Sequence, residues 1–91
     1  MKLYLVHTGF YDPSISKGFF ESHSNYFIIA ENEKSAKIRM KQMDEFKDKK
    51  MHIDGIMELN KIGDYHISIN IDPNASDHEN KQFSYNDVKR I

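Results

Sequence analysis

The chain contains no cysteine. Neither a disulfide nor a thiolate-bearing zinc site can therefore support it. That composition fits a reducing compartment, and the expected location is cytoplasmic. An excess of charge is also lacking. Thirteen Lys and Arg stand against 14 Asp and Glu, for a formal net charge of -1. Such a balance exerts little pull on nucleic acid or an anionic membrane. There is no long apolar run. Leu3 to Val6 is far too short for a signal segment or a membrane span and reads as a buried strand. Known catalytic signatures are absent too. Ser14, Ser16, Ser22, Ser24 and Ser35 lie in no Gly-x-Ser-x-Gly elbow. No phosphate loop, dinucleotide fingerprint, His-Glu-x-x-His helix or calcium loop occurs. These gaps leave open a site assembled in space from separate segments.

What is present describes a globular chain. Its 91 residues fit a single domain, residues 1–91, with 38% hydrophobic and 30% charged residues. A chain of this length buries a small core. We expect a compact core over residues 1–71, followed by a C-terminal tail over 72–91.

The fold class expected is α+β, with ββαββ order. Lys2 to Thr8 reads as a central strand ended by Gly9. A long loop to Glu21 follows, with a turn at Asp12-Pro13-Ser14. Ser24 to Ala30 has strong β propensity. Asn32 suits an N-cap, and Glu33 suits the first turn of a helix. Ala36, Met40 and Met43, widened by Ile38 and Phe46, predict one helix to about Lys47. Met51 to Leu59 predicts a third strand, with a bulge or close backbone approach at Gly55. There Ile53, Gly55 and Met57 alternate against His52, Asp54, Ile56 and Glu58. Tyr65 to Ile71 alternates like a fourth strand with one wet face. The tail has turn formers from Asp72 to Asp77. It ends in a short strand around Phe83 and Tyr85 or a helical turn begun by Asn86 or Asp87. The sum is a mainly antiparallel four-stranded sheet with one helix on one face.

Three segments carry a family resemblance: MKLYLVHTG, ESHSNYFIIAENEKSAK and HIDGIMELNKIGDYHISI. Over roughly residues 1–71 the chain resembles the family catalogued as domain of unknown function 1543. Gly9 matches the glycine at the end of that family's first strand. Glu21 and His23 match its Glu-x-His pair, and Phe27 its strand phenylalanine. His52, Ile53 and Asp54 match its His-Ile-Asp segment, and Tyr65 its late tyrosine. Two positions depart. Phe10 replaces the second glycine of a common pair, and Ser24 stands where an aspartate is usual. The resemblance implies one compact unit with a shared polar cluster. It brings no activity with it.

That cluster is also the best candidate from the residues alone. Glu21 and His23, like His52 and Asp54, are two apart and share a face of an extended strand. If the pairs meet, with Glu58 nearby, imidazoles and carboxylates converge. Such a set suits a divalent transition metal, with His23, His52 and Asp54 as ligands, or acid–base catalysis by Glu21, His23, His52 and Asp54. The plain alternative is that these side chains pair with one another to pin strand register. His7 and His66 read more simply as a satisfied and a surface histidine. His78 lies in a polar linker and takes no role.

Three functional readings follow, and the sequence alone assigns none. The first is a small structural or interaction domain that self-associates through aromatic residues, with Phe10, Tyr11, Phe19 and Phe20 as the contact set. No cofactor is expected in that reading. The second is a metal-dependent or acid–base enzyme using the His and carboxylate cluster. The third is nucleic-acid binding through Lys34, Lys37, Arg39 and Lys41, with Tyr4, Tyr26 and Phe27 stacking bases. It is disfavoured because Glu33, Asp44, Glu45 and Asp48 interrupt the basic face.

Overall fold

The computed structural model describes residues 1–74 and 80–91. Ser76, Asp77 and His78 lie outside the described residues. The first strand, β1 (Lys2–Phe10), runs two residues beyond its expected end, and β2 (Ser22–Ala30) begins two residues early. Gly9 therefore terminates nothing. It lies inside β1, opposite His23 of β2 and His52 of β3 (His52–Leu59). The three strands form an antiparallel sheet in the order β2-β1-β3. The central place of β1 agrees with its continuous apolar run.

Among the described residues the expected four-stranded sheet is not formed. The chain turns back at once through β4 (Lys61–Ile62) and β5 (Tyr65–His66), a separate two-stranded hairpin. Gly63 adopts a φ of 59° in its two-residue loop, a conformation glycine takes without steric cost. Both edges of β1 are already occupied, so residues 67–71 gain no place beside it. They carry no regular structure, and Ile71 is exposed. Alternation signals one wet face but names no partner strand, which is why it misled here.

One helix was expected where the chain forms two. Asn32 caps α1 (Glu33–Gln42), its Oδ1 accepting from the Ser35 N–H at 2.9 Å. Met43 is extended, with φ -69° and ψ 137°, and α2 (Asp44–Asp48) starts after it. No glycine or proline marks the break. The tail takes the helical alternative, as α3 (Tyr85–Arg90). Ser84 rather than Asn86 or Asp87 caps it, in a reciprocal box with Asp87.

Helix α1 covers one face of the sheet. Tyr4, Val6, Thr8 and Phe10 point toward that side and are buried, together with Ala30, Ala36, Met40 and Met51. Tyr4 donates its hydroxyl to Glu58 Oε1 at 3.0 Å, and Thr8 donates to the Ser24 carbonyl at 3.1 Å. Burial, then the Glu58 bond, pushes the Tyr4 phenol from 10.0 up to about 12. Hydrogen bonds from Asn60, Tyr4 and Lys2 hold the Glu58 carboxyl below its ordinary value. In the loop, Asp12 Oδ1 accepts from the Ser14 N–H and hydroxyl, and Ile15 N–H bonds the Asp12 carbonyl. The turn expected at Asp12-Pro13-Ser14 is thus present.

Among the described residues, no helix covers the other face of the sheet. Its rows follow from the strand register. Leu3 lies between Ile29 and Leu59, and Leu5 between Phe27 and Met57. His7 lies between Asn25 and Gly55, and Gly9 between His23 and His52. One half of this open face is apolar and the other half is polar.

Candidate metal centre

The polar half gathers side chains from all three strands. A bulge makes this arrangement. His7 pairs with Gly55 and Thr8 with Ile53, so Asp54 is an extra residue in β3. Such an insertion bends the strand and re-aims a side chain. It also changes the parity of the strand. His52 and Asp54 reach the open face, as expected, but beyond the bulge Gly55 and Met57 take that face. Ile56 and Glu58 then fall on the covered side, opposite Val6 and Tyr4. Glu58 is consequently no member of the cluster. It is bound by Lys2, Tyr4 and Asn60. The bulge foreseen around Gly55 is real, with Asp54 as its extra residue.

Glu21, which immediately precedes β2, reaches over Gly9 to meet β3. Its Oε1 lies 2.6 Å from His52 Nε2, and Asp54 Oδ1 lies 3.1 Å from the same nitrogen. His23 Nδ1 is 3.4 Å from Asp54 Oδ2, and His23 Nε2 is 3.9 Å from Glu21 Oε2. None of these four approaches has the alignment of a hydrogen bond. Glu21 Oε1 is shut off from water and has no hydrogen-bond partner among the described residues. The 2.6 Å contact with His52 is therefore a close approach with no N–H directed along it. Leaving a buried polar atom unpaired costs about 1–3 kcal/mol, more for a charged group.

Gly9 is the floor of this arrangement. A β-carbon there would overlap Glu21 Oε1 and lie 2.6 Å from His52 Nε2 and 2.7 Å from Asp54 Oδ2. Three donors from the two flanking segments thus occupy the space that a side chain on the middle strand would fill. Glu21, His52 and Asp54 each offer a donor atom, all within 4.8 Å of one another. Ligands of a tetrahedral zinc, at bond lengths of about 2.0–2.2 Å, lie about 3.3 Å apart. The side chains keep 30% exposure at Glu21, 32% at Asp54 and 50% at His52, so a solute can reach them.

His7 joins the cluster, which its sequence did not suggest. It stacks on His23, with ring centroids 4.9 Å apart and planes 9° from parallel. Its Nδ1–H donates to Asn25 Oδ1 at 2.8 Å. The available signal was its position two residues before Gly9, on the same face of β1. His66 belongs to the separate hairpin and does not share the face of His52. Ser24 pairs with Thr8 on the covered side, so the carboxylate absent there subtracts nothing from the open-face cluster. Beyond His52 a groove of about 590 Å³ passes Lys37, Lys41 and Lys47. Its charge would favour anionic ligands.

The proposed aromatic contact set is divided. Phe10 is buried at 6% exposure, with the Lys49 ammonium 5.0 Å from its ring centroid. Tyr11, Phe19 and Phe20 remain exposed, and Phe19 and Phe20 pack edge to face at 4.9 Å. The stacking platform for nucleic acid is not formed. Tyr4 is buried beneath α1 and Tyr26 shares its side, whereas Phe27 is on the open face. Arg39 is turned away from the basic helix face to bond the Ile29 carbonyl at 2.8 Å.

The fold and cluster together define a small α+β unit with a solvent-reachable His and carboxylate site on an open sheet face. Neither a family model, nor a curated protein, nor a solved structure matches the chain. No described helix is long and apolar enough to cross a membrane.

Proposed function

We propose that this chain binds a divalent transition metal over Gly9 through Glu21, His52 and Asp54. The observation that supports it most directly is Glu21 Oε1, buried, unpaired and held 2.6 Å from a ring nitrogen. A cation beside these donors would engage an oxygen lone pair that no donor of the described residues takes up. The donors are imidazole and carboxylate, which suit zinc, nickel or manganese. A metal bound there supplies a Lewis acid and an acidified water. Acid–base catalysis by the His52 and Glu21 pair is the metal-free form of the same reading. The kinship with domain of unknown function 1543 and a cytoplasmic location belong to this proposal. Two segments that carry the kinship, Glu21-Ser22-His23 and His52-Ile53-Asp54, supply four of the converging side chains.

The test is a titration of metal-stripped protein with zinc, nickel and manganese, following the five histidine rings by NMR. The expected result is a saturable perturbation of the His52 ring that Glu21→Gln weakens, and loss of metal affinity in His52→Ala. Independent behaviour of all five rings, with no saturable step, would sink the metal reading.

A second reading is self-association, favoured by a different observation. The apolar half of the open face exposes Phe27 at 70%, Met57 at 58% and Ile29 at 43%. Leu3, Leu5 and Leu59 continue it. A second copy laid on this face would bury it, as sheets do when they pack face to face. The contact surface in this reading is the sheet face rather than the loop aromatics.

A further inference from the structure

Both carboxylates of the cluster are divided between two histidines. Asp54 sets Oδ1 3.1 Å from His52 Nε2 and Oδ2 3.4 Å from His23 Nδ1. Glu21 sets Oε1 2.6 Å from His52 Nε2 and Oε2 3.9 Å from His23 Nε2. A carboxylate serving one ion uses one oxygen, or turns both to the same side. Here each carboxylate turns one oxygen to each imidazole, the disposition of a bridging ligand.

The second position has donors of its own. His7, His23 and Asp54 also bring one donor atom each within 4.8 Å of the others, and Asp54 is common to both sets. The hydrogen bond from His7 Nδ1–H to Asn25 Oδ1 fixes the tautomer. Nε2 is left with its lone pair, as in histidines held by an outer partner for metal binding. Asn25 stands exposed on an edge strand, with His7 as its side-chain partner.

Resting on the single-ion reading above, we propose that the cluster is a dinuclear centre. One divalent ion sits among Glu21, His52 and Asp54. A second is held by ring nitrogens of His7 and His23 at the rim of the stacked pair, with Asp54 bridging the two. Paired catalytic ions lie about 3.5–4 Å apart, a distance one carboxylate spans. Two carboxylates do not neutralise two dications, so the pair retains positive charge for a bridging hydroxide or an oxyanion.

The full chain, stripped of metal and loaded with manganese, reports on this directly. Native mass spectrometry is expected to count two ions per chain. Electron paramagnetic resonance is expected to show an exchange-coupled pair. Asn25→Leu should weaken the second ion by about 10- to 100-fold and spare the first, and His7→Ala should reduce the count to one. The unsubstituted protein carries the main test, so a variant that misfolds does not obscure it. One ion per chain, or two without coupling, overturns the dinuclear centre and leaves the single-ion reading standing. No ion at all overturns both. Unchanged second-ion affinity in a folded Asn25→Leu overturns the assignment of His7.

Discussion

Gly9→Ala separates the fold from the site. Residue 9 lies inside β1, where its φ is not in the left-handed region, so alanine meets no backbone strain. Its β-carbon would meet only side-chain termini: Glu21 Oε1, His52 Nε2 and Asp54 Oδ2. Those three can rotate outward, but then they no longer converge. Glycine inside a strand is less favourable than alanine by roughly 0.5–1 kcal/mol. The variant is therefore expected to fold with equal or slightly greater stability, a rise in Tm of up to about 5 °C. Metal affinity should fall at least about 100-fold, roughly 2.7 kcal/mol, because all three donors are displaced. Thermal melting of metal-free protein and calorimetric zinc titration measure the two effects on one sample. A folded Gly9→Ala that binds zinc as tightly as the parent would refute the placement of the ion over Gly9. A collapsed variant would refute the claim that the contacts there are with movable side-chain ends.

Three further outcomes are expected. Tyr4, with its phenol raised to about 12, contributes stability that is complete below pH 10 and lost between about pH 10 and 12. Denaturant melts should fall over that window, and Tyr4→Phe should remove this part of the fall. Met40→Ala empties a fully buried site beneath α1 and should cost about 2–5 kcal/mol in chemical denaturation. Phe27→Lys is expected to leave stability nearly unchanged, since the side chain is 70% exposed. It should abolish self-association in analytical ultracentrifugation, and identical sedimentation of the two proteins at all concentrations would remove the sheet-face reading.

The site was partly legible because strand spacing is local. Glu21 with His23, and His52 with Asp54, share faces through alternation alone. Their meeting over Gly9 depends on which strand lies between them, and strand order is not written in periodicity. Glu58 shows the cost of one inserted residue. Its spacing from Asp54 predicts a common face, but the bulge reverses parity and sends it to Tyr4. His7 was undervalued because its partners, Asn25 and His23, come from another strand. The fourth strand failed for a topological reason. Ile67 and Ile69 alternate with polar neighbours, yet the tight turn at Gly63 had already committed the chain to a separate hairpin. The helix cap at Asn32, by contrast, is a contact between near neighbours in sequence, and it was readable.

The order β2-β1-β3 also acts as a ruler. Neighbouring strands lie about 4.8 Å apart, so donors on the two sides of β1 start nearly two such intervals from each other. Side chains must span that width to meet above the middle. Glu21 has the length from one side and His52 from the other. Asp54 is shorter, and the bulge supplies the reach it lacks. Site and sheet are thus matched in dimension. Glu21→Asp, one methylene shorter, keeps every charge and still leaves the span unbridged.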